Sequence, residues 1–187
     1  MAGDQKRVGD SLDTNQHPPV PATPATRDRL NDRTDYQLCY VCGARNRSGL
    51  GLVFHQEGEE VVAEFTADAR YQGFPGVIHG GIVATLLDET LERIGTLEGR
   101  WLMTGRLEVR YRRVAPINRE LRVSARLVSS RPRALVACAK LAPVDAPEAI
   151  IAEAQGTFLP LPPNVQRQVA AAYPVFAHAF DEPPSGE

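Results

Sequence analysis

Cysteine, tryptophan and methionine are scarce in this 187-residue chain, and its four histidines stand singly. Three cysteines, Cys39, Cys42 and Cys138, are an odd number that fits a reducing compartment better than a disulfide framework. Cys39 and Cys42 make a CxxC, but zinc would need two further ligands. No second CxxC exists, and His17, His55, His79 and His178 are scattered. A redox pair usually opens a helix within a βαβ unit, whereas this one precedes a strand. The cysteines therefore read as structural, and neither a metal nor a cofactor is expected. Charge of one sign is also missing, since the formal net charge is −2 and no basic block is interleaved with aromatics. That argues against a nucleic-acid partner. No apolar run approaches the ~20 residues that span a bilayer. Lys6 and Arg7 lead into polar, Pro-rich sequence rather than the apolar core of a signal peptide, so no membrane and a cytoplasmic location are expected.

Large apolar residues are also few before Arg33, where Pro18, Pro19, Pro21 and Pro24 stand among Ser, Thr, Asn and Asp. Such a stretch cannot bury enough surface to offset its ordering entropy, so residues 1–34 are expected to be a flexible Pro-rich arm. Residues 163–187 form an extension with a short helix at Asn164 to Ala172, aromatics that can lie back on the domain, and a disordered end at Asp181 to Glu187. With 43% hydrophobic residues, the remaining 35–162 suit one domain with a sizeable core.

What that domain does contain is one strongly helical segment, within YQGFPGVIHGGIVATLLDETLERIG at Tyr71 to Gly95. After a Gly/Pro-rich loop, Ile78, Ile82, Val83, Leu86, Leu87 and Ile94 recur at three- and four-residue spacings, the period of a helix burying one side. At about 100° per residue, Asp88 lies roughly opposite that stripe, among Gly81, Ala84 and Thr85. An acid on a helix is most often simply solvated. Here Gly80 and Gly81 at the first turn leave backbone amides open to a close ligand. Together with His79 and Asp88 they offer donors for a polarised carbonyl and a carboxylate to drive attack on it.

Leu50 to His55 and Val61 to Phe65 read as a hairpin about Gly58. Leu107, Val109 and Tyr111 then alternate with Arg106, Glu108, Arg110 and Arg112. Three more alternating strands follow, around Leu121 to Leu127, Leu135 to Leu141 and Ile150 to Phe158. Two strands, one long helix and a run of strands argue α+β, with an antiparallel sheet wrapped around one long central helix. One sheet covers only one side of that helix, so the side carrying Asp88 calls for a second copy.

The string HGGIVATLLDE, with its acid nine positions after the His, resembles the central helix of hotdog-fold acyl-CoA thioesterases of the PaaI-like and THEM4-like kind. CYVCGARNRSGLGLVF and WLMTGRLEVRYRRVAPI resemble the flanking strands of such proteins in the same order, over roughly Asp35 to Pro162. The resemblance implies a hotdog fold, hydrolysis of an acyl-CoA thioester, and a homodimer or tetramer with sites at the subunit interface. It makes Asp88 the catalytic base or nucleophile and gives the Gly81 amide the thioester oxygen, with His79 and Gly80 completing the loop. Thr104 would orient water or the acid. PaaI-like members carry an Asn where this chain has Gly73, so the loop follows the THEM4-like pattern. Glu89 points about 100° from Asp88 and reads as a surface or interface residue. Arg106, Arg110 and Arg112, with Arg113 and Arg122, are candidates to grip CoA phosphates, and a solvated strand face is the equal alternative. Phe74, Val77 and Leu86 are candidates to shape an acyl pocket. A hotdog dehydratase or hydratase, and a non-catalytic acyl-CoA binder, remain the alternatives.

Overall fold

The computed structural model describes Leu30 and residues 38–172. The expectations for the rest of the arm and for Tyr173 to Glu187 lie outside the described residues. Leu30 falls in the stretch expected to be a free arm, yet it is buried in the core, where its isobutyl group finds apolar partners.

Strands β1 (His55–Glu57), β2 (Glu60–Thr66), β5 (Leu102–Tyr111), β6 (Glu120–Arg131), β7 (Ala134–Pro143) and β8 (Ala152–Pro160) form one antiparallel sheet. Its order is β1-β2-β6-β7-β8-β5. A two-stranded ribbon, β3 (Gln72–Phe74) with β4 (Val77–Ile78), precedes helix α1 (Gly80–Leu97). A second helix, α2 (Pro163–Ala172), follows the sheet. This is the α+β arrangement the element pattern predicts.

The buried residues of α1 include Val83, Leu86, Leu87 and Ile94 of the stripe read from the sequence and also Leu91, while Ile82 is only half-buried. They pack on Val123 and Ala125 of β6, Leu135 and Ala137 of β7, and Ala154 and Phe158 of β8 within one core. Each such side chain contributes about 1.5–3 kcal/mol by leaving water. Packing is tight at Gly156, where an added Cβ would meet the Phe158 ring at 2.4 Å and Leu91 Cδ1 of the helix at 3.3 Å. The helix ends at Gly99, whose φ of 65° is a left-handed stop that side-chain-bearing residues disfavour.

Two expectations are corrected. Leu50 to Phe54 is extended and deeply anchored, but it is not a strand: the Leu50 and Leu52 amides donate to the carbonyls of Tyr40 and Val41 in the preceding loop. The hairpin therefore starts only at His55. In β5 the alternation is broken by a register shift between Thr104 and Arg106. A Cβ at Gly105 would lie 2.9 Å from Leu159 Cγ, so only glycine fits this bulge without displacement. The extra residue puts Leu102 and Thr104 on the same side as Leu107, Val109 and Tyr111, facing α1.

Candidate active site

The chain enters α1 through His79, whose extended backbone makes it the N-cap residue. Its Nδ1 accepts a hydrogen bond from the Gly81 amide at 2.9 Å. The neutral ring therefore carries its proton on Nε2. In this state the Gly81 amide, expected to face a ligand, is already satisfied, because an exposed first-turn amide takes the nearest acceptor. A Cβ at Gly73 would stand 3.2 Å from both Cα and Cδ2 of His79, so the absence of a side chain there makes room for the histidine. Tyr111, which the sequence marks only as an apolar strand residue, donates from its hydroxyl to the Gly80 carbonyl at 2.8 Å. The end of β5 is thereby fastened to the first turn of α1.

Two turns further on, Asp88 is half-buried. Thr104 Oγ1 donates to its Oδ1 at 3.0 Å, a contact that exists because the Gly105 bulge turns Thr104 toward the helix. Burial raises the Asp88 pKa above the usual carboxylate value, and the Thr104 hydrogen bond partly opposes that rise. A raised pKa makes the ionised carboxylate a stronger base, which suits a group that must accept a proton. His79, Gly81, Asp88 and Thr104 thus lie along one helix and the strand beside it. Gly81 and Asp88 are seven residues apart, which is about 10 Å of helix rise.

Glu89 is not a surface residue. It is half-buried and ion-paired with Arg93 one turn on, whose side chain is 7% exposed. Arg93 Nη2 also donates to Cys42 Sγ at 3.0 Å, which pins the Cys39 to Cys42 loop onto α1. Burial raises the Glu89 pKa, against the attraction of Arg93. Glu92 on the same helix is pushed up to about 8, first by burial and then by Glu89. One carboxylate oxygen of Glu89 and the sulfurs of Cys39 and Cys42 all lie within 4.8 Å of one another. These three groups are one short of the four donors of a structural zinc, and the Arg93 guanidinium already binds two of them.

Of the expected acyl-pocket residues, Phe74 and Val77 are paired across the β3–β4 ribbon, and Leu86 lies apart from them. Phe74 is 77% exposed on the β3–β4 ribbon and Val77 is half-buried on β4, while Leu86 is fully buried in the core and cannot line an open pocket. The arginine strip also divides. Arg106, Arg110 and Arg112 alternate with the residues facing α1, so they occupy the opposite face of β5 from Asp88. Arg106 pairs with Glu108 and Arg112 with Glu153, whereas Arg110 has no ion-pair partner among the described residues. Arg122 is three strands away on β6 and binds Glu57 and Glu64. Sequence reasoning missed a cleft of about 470 Å³ lined by Tyr40, Arg47, Ser48, Arg70, Tyr71, Gln72, His79 and Ile82. Its only sequence signal was the tyrosine and arginine content of the Cys39 to Phe54 string and of Arg70–Tyr71.

No family model matches the chain. Over 135 residues it is 30% identical to the bovine acyl-coenzyme A thioesterase THEM4, covering 71% of this chain and 55% of that protein. The chain spans about half the length of the curated relatives it matches. A solved thioesterase superfamily protein is 28% identical with a TM-score of 0.61, over 73% of this chain and 68% of that one. A Streptococcus mutans protein solved bound to acetyl-CoA is 17% identical with a TM-score of 0.54, over 58% of this chain and 87% of that one, which is a likeness of fold. Within the described residues, no helix is long and apolar enough to cross a membrane.

Proposed function

We propose that this chain, which belongs to the hotdog-fold thioesterase superfamily, hydrolyses an acyl-CoA thioester to the free acid and CoA. The observation that carries the reading is the half-buried Asp88, held by Thr104 on a helix face of small residues. The name of the bovine relative supports the substrate class, as does the acetyl-CoA in the Streptococcus mutans protein. Asp88 takes a proton from water as its oxygen attacks the thioester carbon, or attacks that carbon itself. The carbonyl oxygen gains negative charge and is received by the Gly81 amide once His79 Nδ1 yields it. The C–S bond then breaks and the CoA thiolate leaves, taking up the proton that Asp88 drew from water; where Asp88 itself attacked, water next hydrolyses the acyl–Asp88 anhydride to release the free acid.

A single chain cannot do this alone. With about 10 Å between Gly81 and Asp88 along one helix, one carbonyl group cannot touch both. A second copy placed across the Asp88 face would bring its own acid to this chain's amide, and the reverse, giving two sites per dimer. The edge of β5, which has no second strand neighbour among the described residues, and the exposed Phe74 and Tyr111 supply surface for such a contact. Arg110 is the member of the arginine strip best placed to receive a CoA phosphate, since no carboxylate in the described residues holds it. A cytoplasmic location goes with this reading.

The test is release of free CoA thiol from a panel of acyl-CoAs by wild type and Asp88→Asn. The variant should lose about 10²-fold or more in kcat while still binding substrate. A wild-type rate in Asp88→Asn overturns the assignment of the acid. Turnover without thiol release indicates a hydratase, and binding without turnover a carrier or sensor. Ala84→Trp, which places an indole on the proposed contact face, should give smaller species in sedimentation and a matching loss of hydrolysis. Full activity in a demonstrated monomer refutes the shared site.

A further inference from the structure

We propose that Cys39 and Cys42 form a thiol–disulfide exchange site that reacts with low-molecular-weight disulfides and is built against helix α1. In sequence the pair lacks the helix N-terminus that usually activates a CxxC. The fold supplies a substitute, because the Arg93 guanidinium on α1 donates to Cys42 Sγ at 3.0 Å. The loop is folded as one tight turn, with the Gly43 amide bonded to the Cys39 carbonyl at 3.0 Å and the Val41 amide 3.4 Å from Cys39 Sγ. The two sulfurs lie within 4.8 Å of each other, close enough to act on one another directly. The neighbouring Cys42 thiol, with a smaller part from the Arg93 charge, holds the Cys39 thiol down to about 5, while Cys39 and burial push that of Cys42 up against the pull of Arg93. The two sites also differ in access: Cys39 is half-buried and Cys42 lies behind it at 7% exposure. An outer attacking thiolate and an inner resolving thiol are the division of labour that exchange requires.

The chemistry balances without any further reagent. Cys39 thiolate attacks one sulfur of a disulfide RS–SR, whose S–S bond breaks to release RS⁻ and leave a mixed disulfide. Cys42 then gives its proton to the departing thiolate, attacks Cys39 Sγ and expels the second RS⁻. The chain loses two electrons to its new disulfide, and RS–SR becomes two thiols. A metal is the rival occupant, since Glu89 joins the two sulfurs within 4.8 Å. Arg93 decides against it. Its guanidinium already bridges Cys42 and Glu89 as a fixed cation, and a divalent ion would have to drive that charge out of a buried position.

The experiment incubates the full chain, folded, in glutathione and glutathione disulfide mixtures, followed by alkylation and peptide mass spectrometry. Cys138 is the internal reference, because it lies on β7 outside this cluster. Cys39 should react at least about tenfold faster than Cys138, and the Cys39–Cys42 peptide should lose two hydrogens as the disulfide fraction rises. Cys42→Ser removes the resolving sulfur and should trap glutathione on Cys39. Equal alkylation of all three cysteines in wild type at every mixture overturns the proposal without recourse to a variant. So does zinc bound one-to-one to the reduced protein, with Cys39 and Cys42 alkylated only after chelation. The readout is on sulfur, so it stands or falls apart from the thioester reading.

Discussion

Replacing Asp88 with Asn should stabilise the protein at neutral pH while it removes the acid. The raised pKa of Asp88 means that the folded chain resists ionising it, first because burial strips water from the carboxylate. Thr104 supplies one charge-assisted hydrogen bond, which does not fully offset that loss. Asn keeps the size, still accepts from Thr104 and has no charge to bury. Solvent reaches part of the carboxylate, so the gain is a fraction of a full burial cost, about 0.5–1 kcal/mol. In a domain of this size that is about 2–4 °C in Tm. At a pH below the value of an unfolded carboxylate, both states of the wild type hold the proton and the two proteins are equally stable. As pH rises toward the raised native value, the unfolded wild type releases its proton first, and its stability falls relative to the variant. Calorimetry at one protein concentration, from pH 4 to pH 8, reads this directly. An Asn variant less stable than wild type at pH 7, or a difference unchanged at pH 4, would show that the carboxylate is a structural anchor rather than a costly functional group.

Thr104→Val removes the hydrogen bond that lowers the Asp88 pKa, so the acidic limb of the rate profile should move to higher pH while the rate above it falls about tenfold or less; an unmoved limb removes Asp88 from the titration. Gly105→Ala puts a methyl group 2.9 Å from Leu159, and the displaced bulge should cost about 1–3 kcal/mol and lower kcat through Thr104, with chemical denaturation and turnover as the two readings. Glu89→Gln leaves the buried Arg93 without its carboxylate and should cost about 2–4 kcal/mol in the same denaturation assay, yet at a temperature where it is folded it should hydrolyse far faster than Asp88→Asn.

The helix and the last three strands were legible because their signals are local. Val83 to Ile94 keep a helical period, and Leu121 to Phe158 keep a strand period, each set by which side of a single element is dry. Asp88 was legible for the same reason, being the acid on the opposite side of that helix. The direction of Thr104 was not, since it depends on a bulge that exists because Leu159, more than fifty residues later, leaves no room for a side chain at Gly105. The role of Glu89 was missed likewise, because its surroundings come from a loop about fifty residues earlier. The Arg strip divides because of sheet order: β5 and β6 follow one another in sequence but are not neighbours, and Arg122 lies three strands from β5. Leu50 to Phe54 carries strand-forming residues whose backbone bonds are taken by its own preceding loop.

The place of β5 in the sheet also sets the order in which the molecule can be made. It leaves the ribosome directly after α1, yet its strand neighbour among the described residues is β8, the last strand of the sheet. Until residue 160 has emerged and docked, β5 has no ladder to join, Thr104 is not held beside Asp88, and Tyr111 cannot be held against the first turn of the helix. β2 waits in the same way for β6. Pairings this distant in sequence make for slow folding. The acid thus sits on one of the earliest elements to form, and the groups that orient it arrive with the latest, so a nascent or truncated chain ending before β8 carries Asp88 but no assembled site.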